Sequence, residues 1–366
     1  MKKFLVLIFT FLISLLPTAY ADLSGMPPVL DKNDIYSADR PNALSNVVKG
    51  MPELVYVPNF QSSTVSVIDP KTYKIIKTIK TKKGPQHVVP SWDLKTLWVN
   101  DNKGNYLTPI NPRTVTAGKD IYVHDPYNLY FTPNGKYAIV MAESDKQIVF
   151  RDPQTMAIKK IVKVPCAGVN HADWSLDGTF FIVTCEFTGT LLKIDTAKMK
   201  VIAKKDLPSR SKMGPMPQDI KISPDGKTFY VADMSSDGIW VMPADNFGQL
   251  NFIKTGKGAH GLYVTRDSKN LLITNREEGS VSVMRFSDQK LISKWKIPGG
   301  GSPDMGNISA DGKYFWVSGR YDDEVYVFDI AKGKCIKRIK VGREPHGLTI
   351  YPLPGRYSLG HTGILR

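Results

Sequence analysis

Imidazoles carry the plainest chemical hint in this chain. Six histidines occur in 366 residues. Four of them, His87, His171, His260 and His346, stand in one kind of local setting: the second or third residue of a short segment that opens with Pro or a small residue and runs into an alternating stretch. His124 lies just upstream of another such segment. Neutral imidazole ligates copper, zinc and iron. Histidines that recur at one structural position are therefore candidates to converge on a metal ion or on the iron of a tetrapyrrole. Elsewhere the same positions hold Asn128, Asp219 and Asp304. A second set, Glu143, Glu186, Arg276 and Arg320, follows strand-like stretches. Arginine suits two-point capture of a carboxylate or phosphate, which points to a small anionic ligand. Glu143, Glu186, Asn128, Asn170 and Asp219 also offer the oxygens that a calcium-type site needs.

What positions these residues is a repeat. Seven segments share an anchor, an alternating strand, a turn and a second strand. They start at Pro85, Pro126, Val169, Pro217, Ala259, Pro303 and Pro345, spaced 41 to 48 residues apart. Asn134-Gly135, Asp177-Gly178, Asp225-Gly226 and Asp311-Gly312 supply the left-handed backbone that a tight hairpin demands. Third strands of the form TVSVID (64–69) and EVYVFD (324–329) follow, then lysine-rich fourth strands such as KCIKRIKV. A four-stranded unit with two apolar faces must be stacked on by its neighbours, and seven of them make a β-propeller. LVYVPN (54–59) is a second strand with no first strand before it. HGLTIY (346–351) is a first strand, so pairing the two closes the ring. The tail, 356–366, either competes for that slot or packs across a face.

In such a ring the anchors and the ends of the second strands lie on one face, around the axial channel. The anchors place Gln86, His87, Tyr127, Asn128, Asn170, His171, Gln218, Asp219, His260, Asp304, Met305 and His346 there. The strand ends place Asn59, Asn102, Glu143, Glu186, Asp233, Arg276 and Arg320. Carboxylates fall on two adjacent blades and guanidiniums on two others. A lining that only keeps a channel wet accounts for the same residues.

Lys2 and Lys3, the apolar run 4–16 and Ala19-Tyr20-Ala21 read as a secretory signal peptide over 1–21. Residues 22–52 then form an irregular lead-in and 53–366 the propeller. The expected location is the periplasm or outside the cell, with no transmembrane segment after cleavage. The formal charge is +15. Its lysine runs read as solvated outer strands that discourage edge pairing. Export and the lack of a recognition motif argue against nucleic acid. Of three cysteines, Cys166 and Cys185 are expected to form a disulfide, and Cys335 a packed free thiol.

ISPDGKTFYVAD (222–233) and STVSVID (63–69) resemble the YVTN β-propeller repeat family, over roughly residues 53 to 352. The resemblance implies the fold and an extracytoplasmic setting, and little about activity. No GxSxG, HExxH or Gly-rich phosphate loop is present. The reading is a monomeric, exported, all-β propeller that binds an envelope protein or a small ligand at the channel mouth. The alternatives are a metal- or haem-binding redox accessory protein using His87, His171, His260 or His346, and a metal-dependent lactonase.

Overall fold

In the computed structural model, which describes residues 22–361 and 364–366, strands come in runs of four, each run one antiparallel sheet. Seven sheets make seven blades. Blades 2 to 7 begin with the inner strands Pro85–Pro90, Asn128–Phe131, Val169–Trp174, Pro217–Ile222, Ala259–Val264 and Pro303–Ile308. Blade 1 is composite. Its inner strand, Thr349–Tyr351, comes from the far end of the chain and pairs with Leu54–Asn59, placing Val55 opposite Ile350. The ring is closed as the repeat requires. The signal-peptide reading falls on 1–21, outside the described residues. Among the described residues, helix is confined to three short 3-10 turns, and no helix is long and apolar enough to cross a membrane.

The first two strands of a blade are buried on both faces because a blade packs between two others. Thr228–Asp233 is buried from Phe229 onward, and Val169–Trp174 throughout. Each buried Val, Leu or Ile there contributes about 1.5–3 kcal/mol. The outer strands answer to water: Lys74–Lys80 is exposed at every residue but Ile79. Lysines along that unpaired edge oppose pairing with another sheet. At the foot of six blades one turn recurs. A Ser or Thr hydroxyl donates to the carboxylate or amide oxygen two residues on, as in Ser175 to Asp177 and Ser223 to Asp225, and the same oxygen accepts a backbone N–H. Glycine takes the left-handed position in four of these turns. Leu94 (φ 63°) and Ser268 (φ 58°) take it in the other two, so the motif extends beyond the Asp-Gly pairs that signal it.

The two ends of the chain close the foot of the channel. The lead-in runs beneath the blades, its N–H groups reaching Asp177, Pro224 and Ala310 carbonyls from Leu23, Ile35 and Asn42. The tail folds into a hairpin, Ser358–Gly360 with Ile364–Leu365, that enters the channel and adds to the inner edge of blade 3 at Gly360 and Tyr130. This resolves the open question about 356–366: the slot beside Leu54–Asn59 stays with Thr349–Tyr351. Arg366 pairs with buried Asp173 at 2.9 Å and lies 4.7 Å over the Tyr36 ring. Arg266 meets Asp39 at 3.6 Å. The foot is thus sealed with paired charge.

Candidate functional site

One irregularity aims the anchor side chains at the axis. In blades 2, 4, 5, 6 and 7 the inner strand carries an extra residue against its neighbour. Pro85 faces Asp101 and Val88 faces Val99, so Gln86 and His87 together span a single position. Such a bulge frees consecutive residues from strict alternation. Both can then point inward, at two levels. The level nearer the mouth holds His260, Asp304 and His346. The deeper level holds His87 and His171. Gly347 occupies the deeper position beside His346, and a Cβ there would lie 2.1 Å from His87 Cδ2. The glycine is what lets the His87 ring reach the axis.

A third imidazole completes the deeper level. His361, at the tip of the tail hairpin, stands with ring centroids 4.7 Å from His171 and 4.9 Å from His87. All three residues are fully buried, and their ligating nitrogens lie within 4.8 Å of one another. His87 Nδ1 is 3.0 Å from the Tyr127 carbonyl, so it carries the proton and leaves Nε2 as a bare lone pair. His87 Nε2, both His171 nitrogens and His361 Nε2 have no hydrogen-bond partner. His361 Nδ1 is 3.1 Å from the Asn128 amide. Burial drives His87 down to about 3 and holds His171 and His361 well below the ordinary imidazole value. These rings are neutral at physiological pH.

The upper level is saturated with charge. Asp304 Oδ1 accepts from His260 Nδ1 at 2.9 Å and Arg276 at 3.3 Å. Its Oδ2 lies at ion-pair distance from His346 Nε2 (3.5 Å) and Arg320 (3.7 Å). Burial pushes this carboxyl up, but His260, His346 and Arg276 overcome it and hold it well below the carboxylate range. Arg320 also grips Glu344 through Nε and Nη2 at 3.1 and 3.0 Å.

Above this lies the mouth. Tyr127 covers the deeper imidazoles, its ring 5.6 Å from His87 and 6.4 Å from His171. Glu143 is partly buried with Oε1 unpartnered. Burial first, then the charge of Glu186, raise it to about 8. Glu186 accepts from Asn170 at 3.0 Å. Arg276 stacks on Tyr321, and its Nε is unpartnered.

The structure therefore gathers His87, Asn128, His171, His260, Asp304 and His346 around the channel, with Glu143, Glu186, Arg276 and Arg320 above them. Asp219 lines the channel too, but it spends its oxygens on the Ile220 and Leu262 amides. The second ring shifts by one residue at two blades. In six blades the residue after the second strand donates its N–H to the preceding loop, and at blades 1 and 5 that residue is Phe60 or Met234. Asn59 and Asp233 turn instead into their own blades, toward Thr64 and Ser66, and toward Ser236 and Trp240. Strand alternation makes a one-residue slip a change of face. His361 escaped the sequence reading because it lies outside the repeat. Its only signal was a histidine in a tail with no assigned slot. Cys166 and Cys185 are bonded, Cα–Cα 6.0 Å, and Cys335 is free. His124 is exposed and pairs with Asp145.

Comparison with known proteins bears on the fold. Hydrazine synthase from Kuenenia stuttgartiensis superposes with a TM-score of 0.60 at 18% identity, over 71% of this chain and 87% of that one. A protein described as functionally unknown, from Desulfotomaculum acetoxidans DSM 771, gives 0.68 at 15%, over 81% and 98%. Dihydro-heme d1 dehydrogenase NirN in complex with DHE gives 0.61 at 13%, over 84% and 76%. No curated protein matches by sequence. Residues 43–353 match the model of the YNCE-like beta-propeller family.

Proposed function

The chain belongs to the YNCE-like β-propeller family, and we propose that it is an exported binding protein, working in the periplasm or outside the cell, that takes a small ligand bearing an anionic group at the open end of its channel. The observation that carries this is an asymmetry of the channel. The foot is shut by the chain's own lead-in and tail, whereas the other end presents Glu143, Glu186, Arg276 and Arg320 from four different blades. Unspent polar atoms remain on Glu143 and Arg276. A carboxylate or phosphate would meet Arg276, whose Nε is free, and a hydrogen-bonding part of the same molecule would meet Glu143 and Glu186 opposite. Protonated near neutral pH, Glu143 can donate.

The cofactor alternative gains from the imidazoles and from the likeness in fold to NirN, a protein whose structure is described with DHE. A macrocycle does not fit between rings whose nitrogens lie within 4.8 Å of each other. A tetrapyrrole would have to lie over the mouth instead, above Tyr127.

The test is to isolate the mature protein from its native envelope and analyse it by native mass spectrometry and absorption spectroscopy. A bound small anion that is lost in Arg276→Gln supports the reading. A Soret band in the isolated protein would replace it with the tetrapyrrole. Failure of any small anion to raise the melting temperature would end it.

A further inference from the structure

The deeper imidazoles pose a separate problem, independent of the mouth. A buried polar atom without a partner costs about 1–3 kcal/mol, and native proteins rarely leave several together. Here His87 Nε2, both nitrogens of His171 and His361 Nε2 are unpartnered at one place, on residues with no exposure at all. They come from blade 2, blade 4 and the tail hairpin, so no local turn forces them together. Three features support the rings at this point: the missing Cβ of Gly347 beside His87, the Asn128 amide against His361, and the Tyr127 carbonyl on His87 Nδ1. The last is the arrangement by which ligating histidines have their tautomer fixed and one nitrogen left bare.

We propose that His87, His171 and His361 form a binding site for one late first-row transition-metal ion, copper or zinc, held at the closed end of the channel. An all-imidazole donor set suits these ions, and copper should bind more tightly than zinc. The other candidate group, His260, Asp304 and His346, has a carboxylate but is not the site. Its Asp304 is already shared among two guanidiniums and two imidazoles, so that carboxylate is not free to ligate. Around the deeper set the nearest carboxylate to His361 is Asp219, at 3.8 Å. It offers a compensating negative charge. Because His361 belongs to the tail, the ion would also tie the hairpin into the channel. Three imidazoles leave a further coordination position for water.

The experiment uses the full mature chain, stripped of metal, equilibrated with copper(II) or zinc(II) and dialysed. Elemental analysis should find one equivalent. The copper form should show several nitrogen couplings by electron paramagnetic resonance. His171→Leu and His361→Leu should each weaken binding at least tenfold while circular dichroism and the melting temperature show a folded protein. His124→Ala should bind as wild type. The ion should also protect the tail from carboxypeptidase in the wild type and not in His171→Leu. Retention of one equivalent in both leucine variants would overturn the proposal, as would its loss in Glu143→Gln with Glu186→Gln, or a folded wild type that retains no metal. Binding of a small anion to the metal-free protein is measured alongside. Its failure counts against the mouth reading alone.

Discussion

Two groups of imidazoles lie next to each other on one axis, and they solve opposite problems. His87 and His346 have ring centroids 4.7 Å apart. Yet His346 belongs to a cluster organised around Asp304 and two arginines, and His87 to one whose nearest carboxylate, Asp219, stands 3.8 Å from His361. The upper cluster is organised by charge around Asp304, although its Oδ2 and His346 Nε2 make no hydrogen bond. The lower cluster has bare nitrogens and no counterion within hydrogen-bond reach. A shared strand position therefore does not make a shared role. What surrounds each ring decides whether it serves the fold or waits for a ligand.

The comparison breaks most readily at its charged end. Asp304→Ala should cost about 3–5 kcal/mol, because it leaves the largely buried Arg276 without its carboxylate and Arg320 with Glu344 alone. Urea unfolding measures this, and a loss under 1 kcal/mol would mean that the upper cluster is not held by charge. Acid separates the groups next. His87 titrates near 3 in the fold and near 6.5 when unfolded, so below pH 6.5 the unfolded chain takes up a proton that the native ring refuses. Stability is full above 6.5 and falls as pH drops toward 3. Each such imidazole adds up to about 1.4 kcal/mol per pH unit. Chemical denaturation from pH 7 to 4 should show this slope, and His171→Leu should flatten it.

A steric test sharpens the boundary between the levels. Gly347→Ala puts a methyl group into the His87 ring and should destabilise by about 1–3 kcal/mol, with a matching fall in melting temperature. At pH 7 without metal, His171→Leu should instead be neutral or stabilising by about 1 kcal/mol, since it removes two unpaired buried nitrogens. A clear loss of stability there would mean that His171 has a structural partner. The smallest effect belongs outside the channel. His124→Ala removes an exposed pair with Asp145 and should change stability by less than about 0.5 kcal/mol.

Much of this is legible in the sequence. The seven anchors, the turns at Asn134, Asp177, Asp225 and Asp311, and the unmatched strand at 54–59 carried the propeller and its closure. Four of the five channel histidines stood in anchors. Asn59 and Asp233 were misplaced by one residue, because a strand end cannot be fixed to the residue from pattern alone and one step reverses a side chain. His361 was out of reach, since nothing local ties a tail to a blade more than two hundred residues away.

The sequence by itself determined the repeat, and with it which residues face one axis, because alternation and turn chemistry are short-range. Only the tertiary structure decided the levels: which imidazoles share a carboxylate and which face each other unpaired. The reason is that a bulge in the inner strands and a hairpin from the end of the chain set those distances, and both depend on contacts between residues that are remote in the chain.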